Sequence, residues 1–367
     1  MKIQAKIKNF SYPIIIGSNL IPKLPNEICK FTKSKKILIL IDSFLIKKYK
    51  KKLTSSLANN GFDCMYFEVK AGKKCKDLRI LLKIIDFLEK NKFSKDSTLI
   101  AFGGGTIGDL GGFAASIYYR GLNLVQIPTT LTAQIDSSIG GKVAINYHNN
   151  INAIGSYYHP RLILCDDSFM DSLSKRDFQS GLAEVIKSAL ISNKNHLKFL
   201  INNSNKINNR DKTILSEMIS RIIKIKLEHV AKDEREKNIR MFLNYGHTIG
   251  QAIESSFSLK QEHYRHGEAV GLGMLCVSYI ADSFFKTKKL YKQHLQVLKK
   301  FNLPLKIKKN SKSKKEMIKI ILNNIQKDKK TNYLGARFIL LKDIGKPKIV
   351  SNLNKDLIKE SISKHVE

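Results

Sequence analysis

The sequence predicts a parallel α/β domain over residues 1–172 followed by a mainly α-helical domain over 173–367. Three observations predict it. Short aliphatic runs alternate with segments of helical periodicity through the first half of the chain. A glycine-rich turn from Gly103 to Gly108 stands between one such run and a helical segment. From Ser174 onward the apolar spacing becomes helical, with 212–231 the longest periodic stretch.

Each element has its own reason. Residues 2–7 alternate like a strand, and 12–17 form a second. Residues 35–42 are an Ile/Leu run closed by Asp42, the pattern of a parallel strand buried on both faces whose C-terminal end meets a ligand. A polar helical segment follows, then a strand over 62–69 and helical spacing over 76–91. Residues 97–102 predict a strand, the segment after Gly108 a helix, 123–127 a strand and 161–165 the last strand of the first domain. Near the end, two short strand-like pieces, 336–341 and 348–350, flank a turn at Gly345 and Pro347.

Composition limits the function. The length of 367 residues favours two domains, and a hydrophobic fraction of 43% suffices for packed cores. No run of about eighteen apolar residues occurs and the first residues do not form a signal peptide, so the expected location is cytoplasmic, with no membrane partner. Cys29, Cys64, Cys75, Cys165 and Cys276 are scattered and odd in number, as expected of reduced thiols. The formal charge of +34 raises nucleic-acid binding as an alternative, but the lysines are spread over the whole chain and no nucleic-acid motif accompanies them. Lysine runs at 33–36, 47–52 and 306–315 are then solvated faces, and the excess charge favours anionic substrates.

Three stretches look chemical. Gly103, Gly105 and Gly108 match G-x-G-x-x-G with a strand before and a helix after, and bare amides at a helix N-terminus suit a pyrophosphate. No acid lies about twenty residues on, so this is a phosphate loop of another variety or simply a tight turn. The block 127–146 strings hydroxyls, Asp136, a glycine pair, Lys142 and Asn146, too polar for a core, and Lys142 can reach a phosphate as a mobile point charge. The third stretch is 240–274. If its first half is one helix, Arg240, Asn244, His247 and Gln251 share a stripe, and His266 opens a second segment rich in small residues.

Glu184, among Leu182, Ala183, Val185 and Ile186, is costly to bury unless neutralised, and Lys187 shares its face. One Glu and two His with an open position are the ligand set of a catalytic zinc. Against this stand ordinary structural histidines and a Glu184–Lys187 surface pair, while residues 233–236 read as a solvated charged turn.

Taken together, Gly-Gly-Gly-x-Ile-Gly-Asp-Leu-Gly-Gly-Phe, Pro-Thr-Thr-Leu-x-Ala-Gln-Ile-Asp-Ser-Ser-Ile-Gly-Gly-Lys, Ser-Gly-Leu-Ala-Glu-Val-Ile-Lys, Asp-Glu-Arg-Glu, Leu-Asn-x-Gly-His-Thr-x-Gly and His-Gly-Glu-Ala-Val resemble, in order, the dehydroquinate synthases of the shikimate pathway. The resemblance implies a Rossmann-like NAD-binding α/β domain over 1–172, an α-helical metal- and substrate-binding domain over 173–367, an active site in the cleft between them, and a homodimer. It implies a lyase that converts 3-deoxy-D-arabino-heptulosonate 7-phosphate to 3-dehydroquinate and phosphate through transient oxidation by NAD. Glu184, His247 and His266 match the ligands of a divalent metal, zinc or alternatively cobalt.

Lys142, Lys187 and Asp136 match catalytic groups, and Lys226 and Arg240 the pair at the substrate carboxylate. Asn152 and Asn244 match groups at the phosphate, Lys329 or Lys330 a lysine nearby, and Arg120 an arginine reaching the neighbouring subunit's site. For the cofactor the implied contacts are Asp42, Gly72, Lys76, Gly105, Thr106, Ile107, Gly108, Asp109, Thr129, Thr130, Lys142, Phe169, Met170, Asp171 and Ser172. Lys73, Ile151 and Gln251 depart from the family pattern, where a glutamate, a lysine and a histidine are usual. Rival expectations are another NAD- and metal-dependent sugar phosphate cyclase, a more distant glycerol dehydrogenase, or a decayed chain kept as a scaffold.

Overall fold

A computed structural model describes residues 1–8, 10–148, 150–257, 263–309, 311–331 and 336–367, with the backbone alone at 73 and 328–331. The chain divides into two compact units, the first made of Met1–Leu173 with Leu215–Leu227, the second of Ser174–Ile214 with Glu228–Glu367. In the first unit the elements are β1 Lys2–Ile7, β2 Phe10–Gly17, α1 Leu24–Ile28, β3 Lys36–Asp42, α2 Ser43–Ala58, β4 Asp63–Val69 and α3 Leu78–Lys90. There follow β5 Thr98–Gly103, α4 Gly105–Ile117, β6 Asn123–Pro128, β7 Lys142–Tyr147, β8 Asn150–Tyr157 and β9 Leu162–Asp166.

A seven-stranded sheet runs in the order β1-β2-β9-β6-β5-β3-β4. Only the β1–β2 pair is antiparallel; the other neighbours are parallel, as Rossmann-like sheets require. All of β5 is buried, which explains why its sequence is a continuous rather than alternating apolar run. The chain steps from β3 to β4 in one direction and from β3 past β5 in the other. The switch point of the sheet therefore lies at the carboxyl ends of β3 and β5, where ligands of open α/β sheets bind. Asp42 ends β3, and Gly103 to Gly105 join β5 to α4.

Two expectations for this unit need correction. The helix starts at Gly105, before Gly108, because Ile107 and Gly108 N–H groups both bond to Gly104 O at 3.1 Å and the packed sheet overrides the poor helix propensity of glycine. The block 127–146 does contribute to a core: Leu131, Ala133, Ile135 and Ile139 are buried around a π-helical turn, Ala133–Ser137. Its buried Gln134 donates both hydrogens of its amide nitrogen, to Pro128 O at 3.1 Å and Asp166 O at 2.8 Å, which offsets the cost of burying that nitrogen. The block then runs into the β7–β8 hairpin, whose second strand has no clear sequence pattern.

The helical elements are α5 Lys175–Ser192, α6 Lys194–Asn202, α7 Ser204–Asn208, α8 Lys212–Lys232, α9 His247–Glu254, α10 His266–Phe284, α11 Leu290–Lys300 and α12 Lys314–Thr331. The hairpin β10 Arg337–Leu341 and β11 Pro347–Ser351, and then α13 Lys355–His365, close the chain. Of α8, residues Leu215–Leu227 pack with the first unit. In the second unit α10 is buried along most of its length and packs against α5, α9, α11 and α13.

The stripe expected from one helix over 240–251 is broken. Ile239–Asn244 is a 3-10 turn, Gly246 takes φ 80°, and α9 begins only at His247. A side chain at Gly246 would bring its Cβ to 2.6 Å from Met274 Cγ and 2.9 Å from Val270 O, so the turn needs glycine both for its conformation and for its contact with α10. Among the described residues no helix is long and apolar enough to cross a membrane.

Candidate active site

In the helical unit, α5 carries Glu184 into the interior. Residues 180–191 of that helix are all buried, and a lone carboxylate there would be costly. Lys187, one turn on, sets its ammonium against Glu184 Oε2; the side chains are 1% and 3% exposed, which excludes a surface pair. His247 at the start of α9 and His266 at the start of α10 point Nε2 at Glu184 Oε1 from 3.7 and 3.5 Å. The ligand atoms of Glu184, His247 and His266 all lie within 4.8 Å of one another.

The opposite nitrogens are engaged: His247 Nδ1 faces Tyr245 O at 3.3 Å and His266 Nδ1 faces Glu254 Oε2 at 3.1 Å. That leaves Nε2 of each ring for the side of the site where Glu184 sits. Burial works against the Glu184 carboxylate, but Lys187 and the two imidazoles hold it well below the usual carboxylate range. For His266 burial favours the neutral ring, yet hydrogen bonds and charge from Glu184 and Glu254 raise its pKa to about 10. A cation is what this arrangement attracts, and a divalent ion would displace that proton on binding.

In the α/β unit a second group forms at the switch point. Gly104, the residue preceding α4, supplies no side-chain cap, so no side chain satisfies the first amides of that helix there, an arrangement suited to an anion. A Cβ at Gly105 would come 2.7 Å from Ser137 Oγ, and one at Gly104 3.2 Å from Thr130 Cγ2. Asp42 Oδ1 accepts from Phe44 N at 3.2 Å and Ala71 N at 3.3 Å, and Gly72 N donates to Thr106 Oγ1 at 3.4 Å. Asp42, Gly72 and Thr106, far apart in sequence, are thus brought together.

Further along α4, Asp109 receives Lys76 Nζ at 2.5 Å, and the same ammonium donates to Asn152 Oδ1. Burial raises the Asp109 pKa, with Lys76 opposing. Lys226 on α8 donates to both the carboxylate and the carbonyl of Asp136. Cations and acids therefore alternate across this face.

Arg240, 2% exposed, donates from its guanidinium to Glu234 O. Its turn is built by Asp233, which accepts from the backbone of Lys237 at 2.9 Å, Asn238 at 2.7 Å and Arg240 at 3.1 Å. Burial works against the Asp233 carboxylate, but these amides hold its pKa down. The segment 233–236 is thus more than a solvated turn. Asn244 donates to Glu236 Oε1 at 2.7 Å.

Lys142 opens β7 on the surface, Thr129 is buried, and Thr130 Oγ1 accepts from Ala133 N at 3.2 Å. Phe169 and Met170 pack their side chains in the core, Phe169 edge-on to Tyr49 and Phe102, while Asp171 is exposed and Ser172 Oγ donates to Phe169 O. Arg120 is exposed within a left-handed run from Tyr119 to Gly121. Ile151 on β8 and Gln251 on α9 are exposed. The side chains of Lys73, Lys329 and Lys330 lie outside the described residues.

Glu254 escapes the sequence reading, and Asp233 enters it only within the Asp-Glu-Arg-Glu motif and as part of a solvated charged turn. A signal existed for the first: Glu254 is seven residues beyond His247, on the same face of α9. The role of Asp233 in shaping the turn could not be read from that motif, because its partners are backbone amides.

A parallel α/β unit with a bare glycine loop at its switch point and a helical unit that gathers one Glu and two His form a fold that solved structures share. The fold matches that of 2-deoxy-scyllo-inosose synthase, solved with carbaglucose-6-phosphate, NAD+ and Co2+, at a TM-score of 0.90 and 24% identity over 100% of both chains. It also matches 2-epi-5-epi-valiolone synthase from Streptomyces hygroscopicus subsp. jinggangensis, solved with NAD+ and Zn2+, at 0.84 and 23% over 98% of both. The family models for the 3-dehydroquinate synthase N-terminal and C-terminal regions match residues 66–180 and 181–331. The chain is 39% identical to the 3-dehydroquinate synthase of Thermodesulfovibrio yellowstonii over 99% of both sequences, and 39% identical to that of Clostridium beijerinckii over 91% of this chain and 93% of the relative. It belongs to the 3-dehydroquinate synthase family.

Proposed function

We propose that this chain converts 3-deoxy-D-arabino-heptulosonate 7-phosphate to 3-dehydroquinate and inorganic phosphate, by transient oxidation at C5, elimination of phosphate, reduction and intramolecular aldol closure. The observation that carries the proposal is the cluster of buried Glu184 with His247 and His266, their ligand atoms within 4.8 Å of one another, in a chain of this family. These residues would hold one divalent ion, zinc or in its place cobalt. The fit is supported by Glu184 Oε1, which is buried without a hydrogen bond of ordinary geometry, and by the carbonyl and carboxylate at the outer nitrogen of each imidazole.

NAD would lie at the switch point. Its pyrophosphate fits the uncapped start of α4 at Gly105 to Asp109, where added Cβ atoms would fill the cradle. Asp42 would take the ribose, and Gly72, Lys76, Thr129, Thr130, Lys142 and the turn 169–172 would complete the contacts. When bound, NAD accepts and returns one hydride and the ion polarises the oxygen at the reacting carbon.

The chain's own side chains supply position and charge. Lys226 and Arg240 would take the substrate carboxylate; Lys226 already lies against Asp136, so binding exchanges one carboxylate partner for another. Lys142, Asn152 and Asn244, with Lys329 or Lys330 and Arg120 from a second copy of the chain, would surround the phosphate and neutralise it as it leaves. Asp136 and Lys187 would face the substrate hydroxyls. The two buried cations, Lys226 and Arg240, favour an acidic substrate over a neutral sugar phosphate. A homodimer in the cytoplasm completes the proposal.

Phosphate release from the heptulosonate phosphate, with NAD and zinc present, tests it. Turnover by the wild type and its loss in a folded Glu184→Ala variant are expected; no release by metal- and NAD-loaded wild type rejects the proposal.

A further inference from the structure

Tyr245 and His294 are both 0% exposed within the helical unit. A buried phenol and imidazole must satisfy each other or something nearby. His294 lies on α11, where its Nδ1 donates to Leu290 O at 2.7 Å, since a carbonyl can only accept. In the neutral ring that leaves Nε2 as an acceptor, and Tyr245 Oη stands 2.8 Å from it as donor. Burial pulls the His294 pKa down to about 4, so the ring is neutral and the bond keeps this direction. Tyr245 is thereby tied to α11.

The backbone of the same tyrosine carries the consequence. Tyr245 O is the group that faces His247 Nδ1 at 3.3 Å, and only Gly246, in its left-handed turn, lies between the two residues. Glycine leaves the peptide plane free to rotate, so the direction of that carbonyl has to be set from outside the turn. Gly246 is itself wedged against α10, and Tyr245 N donates to Phe242 O at 3.1 Å, but the side-chain anchor is the bond to His294.

We infer that Tyr245 and His294 are positioning residues for His247: their hydroxyl–imidazole bond fixes the carbonyl that orients the ligand ring. The inference rests on the proposed divalent-ion site. Filling the core would need neither polar group, because Phe and Leu would bury as well; the polar pair adds direction.

Co2+ titrated into metal-free full-length protein, followed by the visible absorption of the bound ion, tests the inference. Tyr245→Phe and His294→Leu should weaken Co2+ about tenfold, the lower end of the loss expected for an outer-shell partner of a metal-bound histidine. His294→Gln keeps a donor for Leu290 O and an acceptor for Tyr245, and should stay within about threefold of wild type. Tyr245→Phe/His294→Leu leaves no polar atom unpaired and should fold even where a single variant does not, while still binding Co2+ about tenfold more weakly. Wild-type affinity in the double variant overturns the inference. Glu184→Ala is the control: Co2+ binding by wild type that does not depend on Glu184 rejects the ion site, and the positioning role falls with it.

Discussion

Lys187→Met separates the charge that holds Glu184 in the protein alone from the charge that holds it when an ion is bound. The two side chains are 3% and 1% exposed, so water cannot take over for either partner. Removing one member of a buried ion pair typically costs about 3–5 kcal/mol, because the other charge is left uncompensated. Here the imidazoles of His247 and His266 remain near Glu184 Oε1, which favours the lower end, about 3 kcal/mol. At about 2–4 °C per kcal/mol for a unit of this size, the metal-free variant should melt about 6–12 °C below wild type.

The loaded state behaves differently. An ammonium and a divalent ion compete for the same carboxylate, so removing the ammonium relieves a repulsion while the ion supplies the missing charge. The gap in melting temperature between zinc-saturated and chelator-stripped protein should therefore be wider for the variant than for wild type. Methionine keeps the length of the lysine stem, which limits cavity formation. Equal losses with and without zinc would refute the argument, since they would mean that Lys187 and the ion do not share Glu184.

The acid limb of stability offers a second measurement: burial lowers the pKa values of His294 and His365 to about 4 from the ordinary 6.5. The unfolded chain then binds more protons between those values, so stability is full above about pH 6.5 and is lost as pH falls toward 4, by up to about 3 kcal/mol for each ring. Urea midpoints at pH 7 and pH 5 should differ less in His365→Leu than in wild type, and an identical difference would contradict this. Arg240→Ala should raise KM about 10- to 150-fold, for a lost charge-assisted contact of about 1.5–3 kcal/mol, without changing metal content; unaltered kinetics would sink it. If residue 73 faces the adenosine ribose, as the family resemblance implies, Lys73→Glu should tighten NAD and weaken NADP, because an acid there accepts from the ribose hydroxyls and repels a 2′-phosphate; an unchanged ratio of dissociation constants would reject the idea.

What was legible in the sequence followed from local pattern. The Ile/Leu run at β3 and the alternation of strands with helices announced a buried parallel sheet, and Asp42 closed its strand as expected. Glu184 could be singled out because its helix offers it only apolar neighbours. The single helix drawn through Arg240 and His247 failed because periodicity ignores Gly246, whose packing against Val270 and Met274 exists only after folding. The block 127–146 misled for a related reason: its hydroxyls and amides suggested a surface, but tertiary hydrogen bonds such as those of Gln134 let it be buried. The structural roles of Asp233 and His294 could not be read because each acts through backbone or through a partner dozens of residues away.

The buried cations proposed to meet the substrate and the cofactor are not free charges waiting for an anion. Lys76 is held by Asp109, Lys226 by Asp136, Lys187 by Glu184, and Arg240 by the carbonyl of Glu234. Buried pairs of this kind add little to stability, since desolvation offsets most of their attraction, so stability does not explain why so many occur together. Position does. A lysine on a flexible stem loses rotamer freedom when it first meets a carboxylate, and here much of that loss is already incurred on folding. On the proposed reading, substrate binding would exchange one anion for another around Lys226, whose ammonium need hardly move, which is how fixed charges stabilise a changing charge distribution without reorganising during the reaction. The exposed lysines responsible for most of the +34 charge, such as Lys47, Lys50 and Lys51 on α2, share none of this fixed geometry. Their contribution is a diffuse field that draws anions toward the molecule, and salt screens it, whereas the buried pairs keep their effect.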